Sequence, residues 1–281
     1  MNALELINIG AKELKQKQIV SSRLDSEILL SKILNKKREE VLTSLDQKIS
    51  KKIFLKYKNF IQRRSQSEPI AYILQEKEFW SKNFFVSPAT LIPRPETELL
   101  VEKLIKKFKD KKISILDIGT GSGCILISLL CELTNSSGVG IDISKKALEV
   151  AKKNAKKHEI FNNIKFFNRS LDSKFNHKFD LIVSNPPYIE SNQIKNLMED
   201  IKQFEPRIAL DGGNDGLDLI KKVIYKTEYL LKEKGMLALE IGNEQFKKVS
   251  KILIKKKFKI EHIIKDYKDN IRCIISTYKN G

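Results

Sequence analysis

The segment Asn185-Pro186-Pro187-Tyr188 carries the residue types with the clearest chemical potential. The Asn185 side-chain oxygen accepts hydrogen bonds, and the Pro186 carbonyl is a second acceptor on a backbone restrained by its ring. A planar NH2 group has two donors that can engage both acceptors, so the segment suits an amide or the exocyclic amine of a nucleobase. Tyr188 adds an aromatic face. We predict catalytic roles for Asn185, Pro186 and Tyr188, and substrate binding by Asn185, Pro186, Pro187 and Tyr188.

An apolar strand precedes this segment. Phe179-Asp-Leu-Ile-Val-Ser184 suits a buried strand, and the two prolines stop its continuation, which leaves Asn185 at the strand end. Parallel α/β sheets bind their ligands at that edge. A simple turn leaving a strand is the alternative, but the strand and a glycine loop upstream favour a functional site.

A glycine loop follows the predicted strand Ile113 to Ile118. In Gly119-Thr120-Gly121-Ser122-Gly123 the glycines allow a tight turn and a close approach of a ligand to the backbone. A dinucleotide fingerprint has its third glycine one place later, where Cys124 stands. The next strand, Gly138 to Ile141, ends on Asp142, whose carboxylate suits the hydroxyls of a ribose. The loop and the carboxylate suit S-adenosylmethionine at least as well as a pyrophosphate. Alternatively, Asp142 is only an acid at the start of the next helix.

The elements around these residues alternate between strands and helices, which predicts an α/β fold with a doubly wound, mostly parallel sheet. The first part of the chain has helical spacing and no catalytic constellation, which predicts a small bundle that positions a substrate. Aromatic runs around a polar turn then predict a hairpin. We therefore expect three parts: a helical substrate-recognition bundle (1–75), a hairpin linker (76–90) and the sheet domain (91–281).

Two irregular segments are expected near the site. Prolines hold Leu91 to Pro95 extended, where Arg94 and Glu96 can line a cleft; a surface turn and a helix-start acid are the alternative roles. The segment Ile189 to Gly216 leaves directly from Tyr188. Loops of this length in a compact domain are usually functional or disordered, and we expect this one to face the substrate.

A formal net charge of +18 favours a polyanionic partner in principle. Only eight of the 53 basic residues are arginine, however, and arginine is the side chain best suited to phosphate and base recognition. We therefore expect no dedicated nucleic-acid site. The three cysteines lack disulfide or metal-ligand spacing, which predicts no metal and a reducing compartment. The longest apolar stretch, Cys124 to Leu133, is too short to span a bilayer, so we expect no membrane contact. We also expect a cytoplasmic protein and a monomer.

Longer motifs extend over nearly the whole chain. They are Glu68-Pro-Ile-Ala-Tyr-Ile73, Leu91-Ile-Pro-Arg-Pro-Glu-Thr-Glu98, the Asp117 to Gly123 loop, Asn185-Pro-Pro-Tyr188, Phe204-Glu-Pro-Arg207 with Leu210-Asp-Gly-Gly-Asn-Asp-Gly216, and Asp266-Tyr-Lys-Asp-Asn-Ile-Arg272. With them the chain resembles the S-adenosylmethionine-dependent methyltransferases, and specifically the release factor glutamine methyltransferases. Enzymes that methylate adenine or guanine amines share Asn-Pro-Pro-Tyr, so the Pro-Arg-Pro-Glu-Thr-Glu segment and the acidic glycine loop are the more specific pair.

The resemblance implies a Rossmann-like class I methyltransferase fold with a seven-stranded sheet. It implies methyl transfer from S-adenosylmethionine to the side-chain N5 of glutamine in the Gly-Gly-Gln motif of bacterial class I peptide chain release factors. The implied cofactor residues are Gly119, Thr120, Gly121, Ser122, Gly123, Asp142, Leu171 and Asn185. Relatives commonly carry an acid and an aromatic residue beside the adenine, where this chain has Ser170 and Leu171.

Two other functions stay open at this point. One is amino-methylation of a nucleic-acid base or of a ribosomal-protein glutamine, since flipped bases need the same kind of amine site. The other is a nucleotide-binding regulatory module whose helical bundle recruits a partner.

Overall fold

The computed structural model describes residues 1–279 and separates into two compact units. The first unit comprises Met1–Glu76 and Met198–Phe204. The second comprises Lys77–Leu197 and the chain from Glu205 onwards. Most of the hairpin that we predicted as a linker therefore packs with the second unit.

Helices make up the first unit, as the spacing predicted. They are α1 (Ala3–Gln16), α2 (Ser22–Leu34), α3 (Arg38–Leu42), α4 (Lys51–Ser65) and α5 (Ile70–Leu74). Asn2 and Glu5 form a reciprocal cap at the start of α1, with each side chain accepting from the other residue's backbone N–H at 3.0 and 2.9 Å. A buried ion pair between Asp25 and Arg64, 2.7 Å apart, links α2 to α4. The cap and the buried ion pair stabilise a defined arrangement of these helices.

The second unit opens with the predicted hairpin and continues as alternating strands and helices. The hairpin is β1 (Glu76–Phe79) and β2 (Lys82–Phe85). The elements that follow are α6 (Pro95–Phe108), β3 (Ser114–Ile118), α7 (Cys124–Glu132), β4 (Ser137–Asp142), α8 (Lys145–Lys157), β5 (Ile164–Asn168) and β6 (Phe179–Ser184). The short helix α9 (Glu199–Phe204) follows in the chain but belongs to the first unit. The second unit then continues with α10 (Asp218–Leu230), β7 (Leu231–Glu240), α11 (Phe246–Lys255), β8 (Phe258–Lys265) and β9 (Ile271–Tyr278).

Seven strands form one sheet in the order β5-β4-β3-β6-β7-β9-β8. Strands β3 to β7 pair in parallel, whereas β9 pairs antiparallel with both β7 and β8. The chain first builds outward from β3 through β4 to β5, and then continues on the other side with β6. Because ligands bind where the order reverses, the carboxyl ends of β3 and β6 mark the expected site. The predicted mostly parallel seven-stranded sheet is confirmed.

The segment between β6 and α10 is more regular than expected. It contains 3-10 turns at Ser191–Asn196 and Arg207–Ala209 as well as helix α9. Our expectation of a long irregular loop was therefore wrong in this respect, because its short polar stretches gave no periodic apolar signal. Across residues 1–279, no helix combines the length and apolar character needed to cross a membrane.

Asn154 on α8 ties the hairpin to the glycine loop. Its Oδ1 accepts from the Phe85 N–H at 2.7 Å, and its Nδ2 donates to the Phe85 carbonyl and the Ser122 carbonyl, each at 2.9 Å. The side chain is fully buried. A single buried amide thus satisfies three backbone groups from two separate segments.

We expect Asn154→Ala to destabilise the second unit by about 2 to 3 kcal/mol, because buried backbone groups would lose their partners. Urea unfolding can be followed by the fluorescence of Trp80, the only tryptophan, which lies in the hairpin turn. Asn163→Ala, at an exposed position, is the matched control. Equal unfolding midpoints for the two variants would contradict the role assigned to Asn154.

Candidate active site

A cavity of about 260 Å³ opens at the carboxyl edge of the sheet in the second unit. Its walls come from the segment before α6, the glycine loop, the end of β4, the segment after β5 and the turn after β6. Nine predicted residues line it: Gly119, Thr120, Gly121, Ser122, Asp142, Leu171, Asn185, Pro186 and Pro187. Gly123 and Tyr188 are not part of this lining. The fold therefore brings most of the predicted cofactor and substrate residues to one cavity.

The three glycines of the loop have different roles. Gly119 and Gly121 have φ of +71° and +54°, a region that favours glycine, and a Cβ added to Gly119 would meet no atom within 4 Å. The space beside Gly119 therefore lets a ligand in the cavity approach the backbone closely. At Gly123 a Cβ would lie 2.8 Å from Ile127 Cδ1 and 3.3 Å from Ala151 Cβ. Gly123 is therefore needed for the packing of α7 against α8.

The Asp142 carboxylate lies at the end of β4 with part of its hydrogen-bonding capacity free. Its Oδ2 accepts from the Gly121 N–H at 3.0 Å, and its Oδ1 accepts from the Ser144 N–H at 2.8 Å. Burial raises the pKa of Asp142, while these backbone N–H groups act in the opposite direction. A carboxylate has about four acceptor positions, so two stay available for a diol. Ser144, whose Oγ accepts from the Ala147 N–H at 3.1 Å, is the N-cap of α8, which weakens the helix-start alternative for Asp142.

Apolar side chains flank Asp142 on the cavity wall. Leu171, which we predicted, is buried, and Ile143, which we did not predict, is 57% exposed. The only sequence signal for Ile143 was its place directly after the strand-end acid. The guanidinium of Arg169 also lines the cavity and lies 4.6 Å from the centre of the Phe167 ring. This wall can cover the flat faces of a base.

Asp117 lies directly below the glycine loop. Its Oδ2 accepts from the Thr120 hydroxyl at 2.7 Å, whereas its Oδ1 has no hydrogen-bond partner among residues 1–279. Burial raises the pKa of Asp117 to about 7, and the nearby Asp142 acts in the same direction. A positively charged ligand above the loop would favour the ionised form of this carboxyl. An open glycine backbone, a partly free carboxylate and a buried acid together fit S-adenosylmethionine.

Asn185 is held by a hydrogen-bond chain that reaches into the core. Its Nδ2 lies 3.4 Å from Thr97 Oγ1, and the Thr97 hydroxyl donates to Glu240 Oε2 at 2.6 Å. Thr97 lies in the first turn of α6 and Glu240 ends β7, and both are 2% exposed. We did not predict either residue, although Thr97 belongs to the Pro-Arg-Pro-Glu-Thr-Glu motif. Only the folded sheet brings Glu240 to Asn185.

Tyr188 lies beside the same carboxyl group. Its hydroxyl is 3.5 Å from Glu240 Oε1, the outer limit for a hydrogen bond. Burial raises the pKa of Tyr188, and the negative charge of Glu240 acts in the same direction. The catalytic role of Tyr188 stays a prediction.

The acidic glycine loop holds the backbone of the Pro-Pro-Tyr segment. Ile189 pairs with the loop through hydrogen bonds to Leu210 and Gly212 of 3.0 and 2.8 Å. A Cβ added to Gly212 would lie 2.9 Å from the Pro187 carbonyl oxygen. At Gly216 it would lie 2.4 Å from the Tyr188 carbonyl oxygen. These glycines therefore permit contacts between two backbones that any side chain would prevent.

Glu205 joins the two irregular segments that we expected near the site. Its Oε1 accepts from Arg94 Nη2 at 2.6 Å, and its Oε2 accepts from the Ile92 N–H at 3.1 Å. Arg94 lines the cavity as expected, whereas Glu96 is not part of the lining. Both motifs thus shape one wall of the cavity.

Two family models match the sequence. The model described as "Methyltransferase small domain" matches residues 95–269, and the "PrmC N-terminal domain" model matches residues 5–74. A release factor glutamine methyltransferase from Buchnera aphidicola subsp. Schizaphis graminum is 43% identical over 257 residues, covering 92% of this chain and 93% of the relative. The chain belongs to the release factor glutamine methyltransferase family. The resemblance inferred from the motifs is thereby confirmed.

Other relatives of this methyltransferase differ in length. A release factor glutamine methyltransferase from Fusobacterium nucleatum subsp. nucleatum is 38% identical, covering 97% of this chain and 78% of the relative. A "Bifunctional methyltransferase" from Rickettsia typhi is 36% identical, covering 96% of this chain and 56% of the relative. The chain thus spans about half the length of the Rickettsia protein and most of the other two.

Solved structures with lower identity show the fold. A ribosomal protein L11 methylase from Lactobacillus delbrueckii subsp. bulgaricus superposes with a TM-score of 0.52 at 23% identity, covering 69% of this chain and 84% of that one. A methyltransferase from Pyrococcus furiosus gives 0.53 at 18% identity, covering 69% and 87%. The predicted Rossmann-like class I methyltransferase fold is confirmed.

We expect Asp142→Ala to weaken S-adenosylmethionine binding by about 1 to 3 kcal/mol, because a charged acceptor facing the cavity is lost. Titration calorimetry measures the dissociation constant directly. Glu102→Ala is the control, since that exposed carboxylate pairs with Lys106 on α6 and neither residue lines the cavity. Unchanged affinity of the Asp142→Ala variant would mean that Asp142 binds only the Gly121 and Ser144 amides and does not contact the cofactor.

Proposed function

We propose that this protein transfers a methyl group from S-adenosylmethionine to the side-chain N5 of the glutamine in the Gly-Gly-Gln motif of bacterial class I peptide chain release factors. Membership of the release factor glutamine methyltransferase family supports the substrate. The observation that carries the chemistry is the buried anchoring of Asn185 at the edge of the cavity that also contains the glycine loop and Asp142.

The bound cofactor supplies an electrophilic methyl group on a positively charged sulfur. We propose that Gly119 to Ser122 cradle its amino-acid portion, Asp142 accepts from its ribose hydroxyls, and Ile143 and Leu171 cover its base. These assignments rest on the open loop backbone and on the free acceptor positions of Asp142.

An amide nitrogen is a poor nucleophile because its lone pair is delocalised into the carbonyl. Asn185 Oδ1 and the Pro186 carbonyl accept the two N–H bonds of the substrate and hold the nitrogen in line with the methyl group. The same two oxygens stabilise the positive charge that develops on nitrogen during transfer. The surplus proton then leaves to solvent or through these carbonyls. The protein therefore contributes mainly orientation and fixed dipoles.

We expect Asn185→Ala to slow methyl transfer by about 2 to 4 kcal/mol in the activation free energy, the scale for losing one preorganised partner. Binding of the cofactor should weaken much less. Single-turnover transfer of labelled methyl to a release factor measures the rate, and calorimetry measures the binding. A release factor with glutamate in place of the motif glutamine is the control. Label in that control, or a variant as fast as the parent, would contradict the proposed chemistry.

We further propose that the helical unit, residues 1–76, recognises the release factor outside the reactive glutamine. The match of residues 5–74 to the N-terminal domain model supports a family-specific role for this unit. Its polar interior is structural: Asp25 pairs with Arg64, and the Ser26 hydroxyl donates to the Ile7 carbonyl at 2.7 Å. A stable surface without its own reactive site is suited to positioning a protein substrate.

If this role is correct, the intact enzyme should methylate a whole release factor with a kcat/KM at least about 100-fold above that for a short Gly-Gly-Gln peptide. Recognition away from the reactive group supplies the orientation that a peptide lacks. Steady-state kinetics on the two substrates give the ratio. Comparable values would remove the recognition role of the helical unit.

A further inference from the structure

A buried polar chain in the second unit begins at Asn185, the first residue of the Asn-Pro-Pro-Tyr segment. It consists of Asn185 after β6, Thr97 in the first turn of α6 and Glu240 at the end of β7. Glu240 forms no ion pair within 4 Å among residues 1–279. Arg272, a cation whose charge acts on Glu240, is engaged by Asp266 at 2.9 Å. Burying a carboxylate without a paired cation costs free energy, so the position of Glu240 points to a role for its hydrogen bonds.

The direction of the hydrogen bonds determines which way the Asn185 amide faces. The Thr97 hydroxyl has one proton, and Glu240 Oε2 accepts it at 2.6 Å. Thr97 Oγ1 can therefore only accept from its other neighbour, which must be the Nδ2 of Asn185. The Asn185 amide oxygen then faces the cavity, where it can accept a hydrogen bond. An apolar residue in place of Glu240 would allow either orientation of the amide.

We propose that Glu240, acting through Thr97, is a positioning residue that fixes the Asn185 amide with its oxygen towards the substrate. This rests on the proposed function, because only an acceptor at this point can hold the substrate NH2 group. A flipped amide would present a second NH2 group to it and repel it. Linked hydrogen bonds also polarise one another, so the carboxylate makes the Asn185 oxygen a better acceptor.

The same chain predicts a pH dependence. Protonated Glu240 becomes a donor, which lets Thr97 turn its proton towards Asn185 and favours the wrong amide orientation. Burial raises the pKa of Glu240 to about 7. The Thr97 hydrogen bond, the charge of Arg272 and a hydrogen bond from the Asn185 side chain lower this pKa, and Glu96 raises it. The other titratable groups that interact with Glu240 are Tyr188, Cys124 and Cys273, all neutral near this pH because burial raises their pKa. Methyl transfer should therefore fall as the pH drops below about 7.

The test uses three variants of the full-length protein. Thr97→Val removes the hydroxyl at constant shape, Thr97→Ser keeps it, and Glu240→Gln removes the charge. We expect Thr97→Val to lower kcat at least tenfold with KM for the release factor and affinity for S-adenosylmethionine within twofold. Thr97→Ser should recover to within threefold of the parent, and Glu240→Gln should lose the decline of kcat below pH 7. Asp180→Asn is the control, since this carboxylate binds Ser114 and Lys232 at the opposite end of β6.

A second measurement does not need turnover. The side-chain NH2 resonances of Asn185, assigned by their loss in Asn185→Asp, should shift in Thr97→Val and Glu240→Gln but not in Asp180→Asn. Resonances that stay unchanged, a Thr97→Val enzyme within twofold of the parent, or a Thr97→Ser enzyme as slow as Thr97→Val would overturn the proposal. If the parent protein fails to methylate a release factor, the proposed function is wrong, and the resonances alone decide the role of Glu240.

Discussion

Parallel pairing aligns the ends of the central strands, and the whole site depends on that alignment. Ile118 at the end of β3 lies opposite Ile141 on β4 and Ser184 on β6, and Ser184 lies opposite Leu239 on β7. The next residues along these strands therefore leave the sheet at one edge. In this way the glycine loop, Asp142, Asn185 and Glu240 come together from positions more than 100 residues apart in the sequence.

Buried acids then connect these strand ends to the surrounding segments. Glu205 joins the residues after α9 to the segment before α6, and Glu240 joins β7 to α6 and the turn after β6. Asp117 holds Thr120 in the glycine loop. Each carboxyl group is buried, and each accepts at least one hydrogen bond from a neighbouring segment. Their hydrogen bonds give the cavity a defined shape before any ligand binds, which is the property that orientation-based catalysis requires.

Close backbone contacts add a second restraint on the reactive segment. Gly212 and Gly216 bring the acidic glycine loop against the carbonyl groups of Pro187 and Tyr188. Gln245 Nε2 donates to the same Tyr188 carbonyl at 2.9 Å. The proline rings restrict the backbone dihedral angles of the Asn-Pro-Pro-Tyr segment, and contacts with the acidic glycine loop restrict its position. This explains why one motif and a loop some twenty residues later form one structural unit.

Local sequence by itself determined most of the elements of this protein and singled out candidate site residues. Proline stops, alternating glycines and a strand-end acid are local constraints on the backbone, so Gly119, Asp142 and Asn185 could be recognised without the fold. The doubly wound, mostly parallel sheet also followed from the alternation of strands and helices, whereas the number of seven strands came from the family resemblance. The tertiary structure alone decided that Thr97 and Glu240 orient Asn185, that Glu205 anchors Arg94, and that Ile143 lines the cavity. These roles depend on the register of strands distant in sequence and on burial, because a buried carboxyl group acquires its partners and its raised pKa only when the chain is folded.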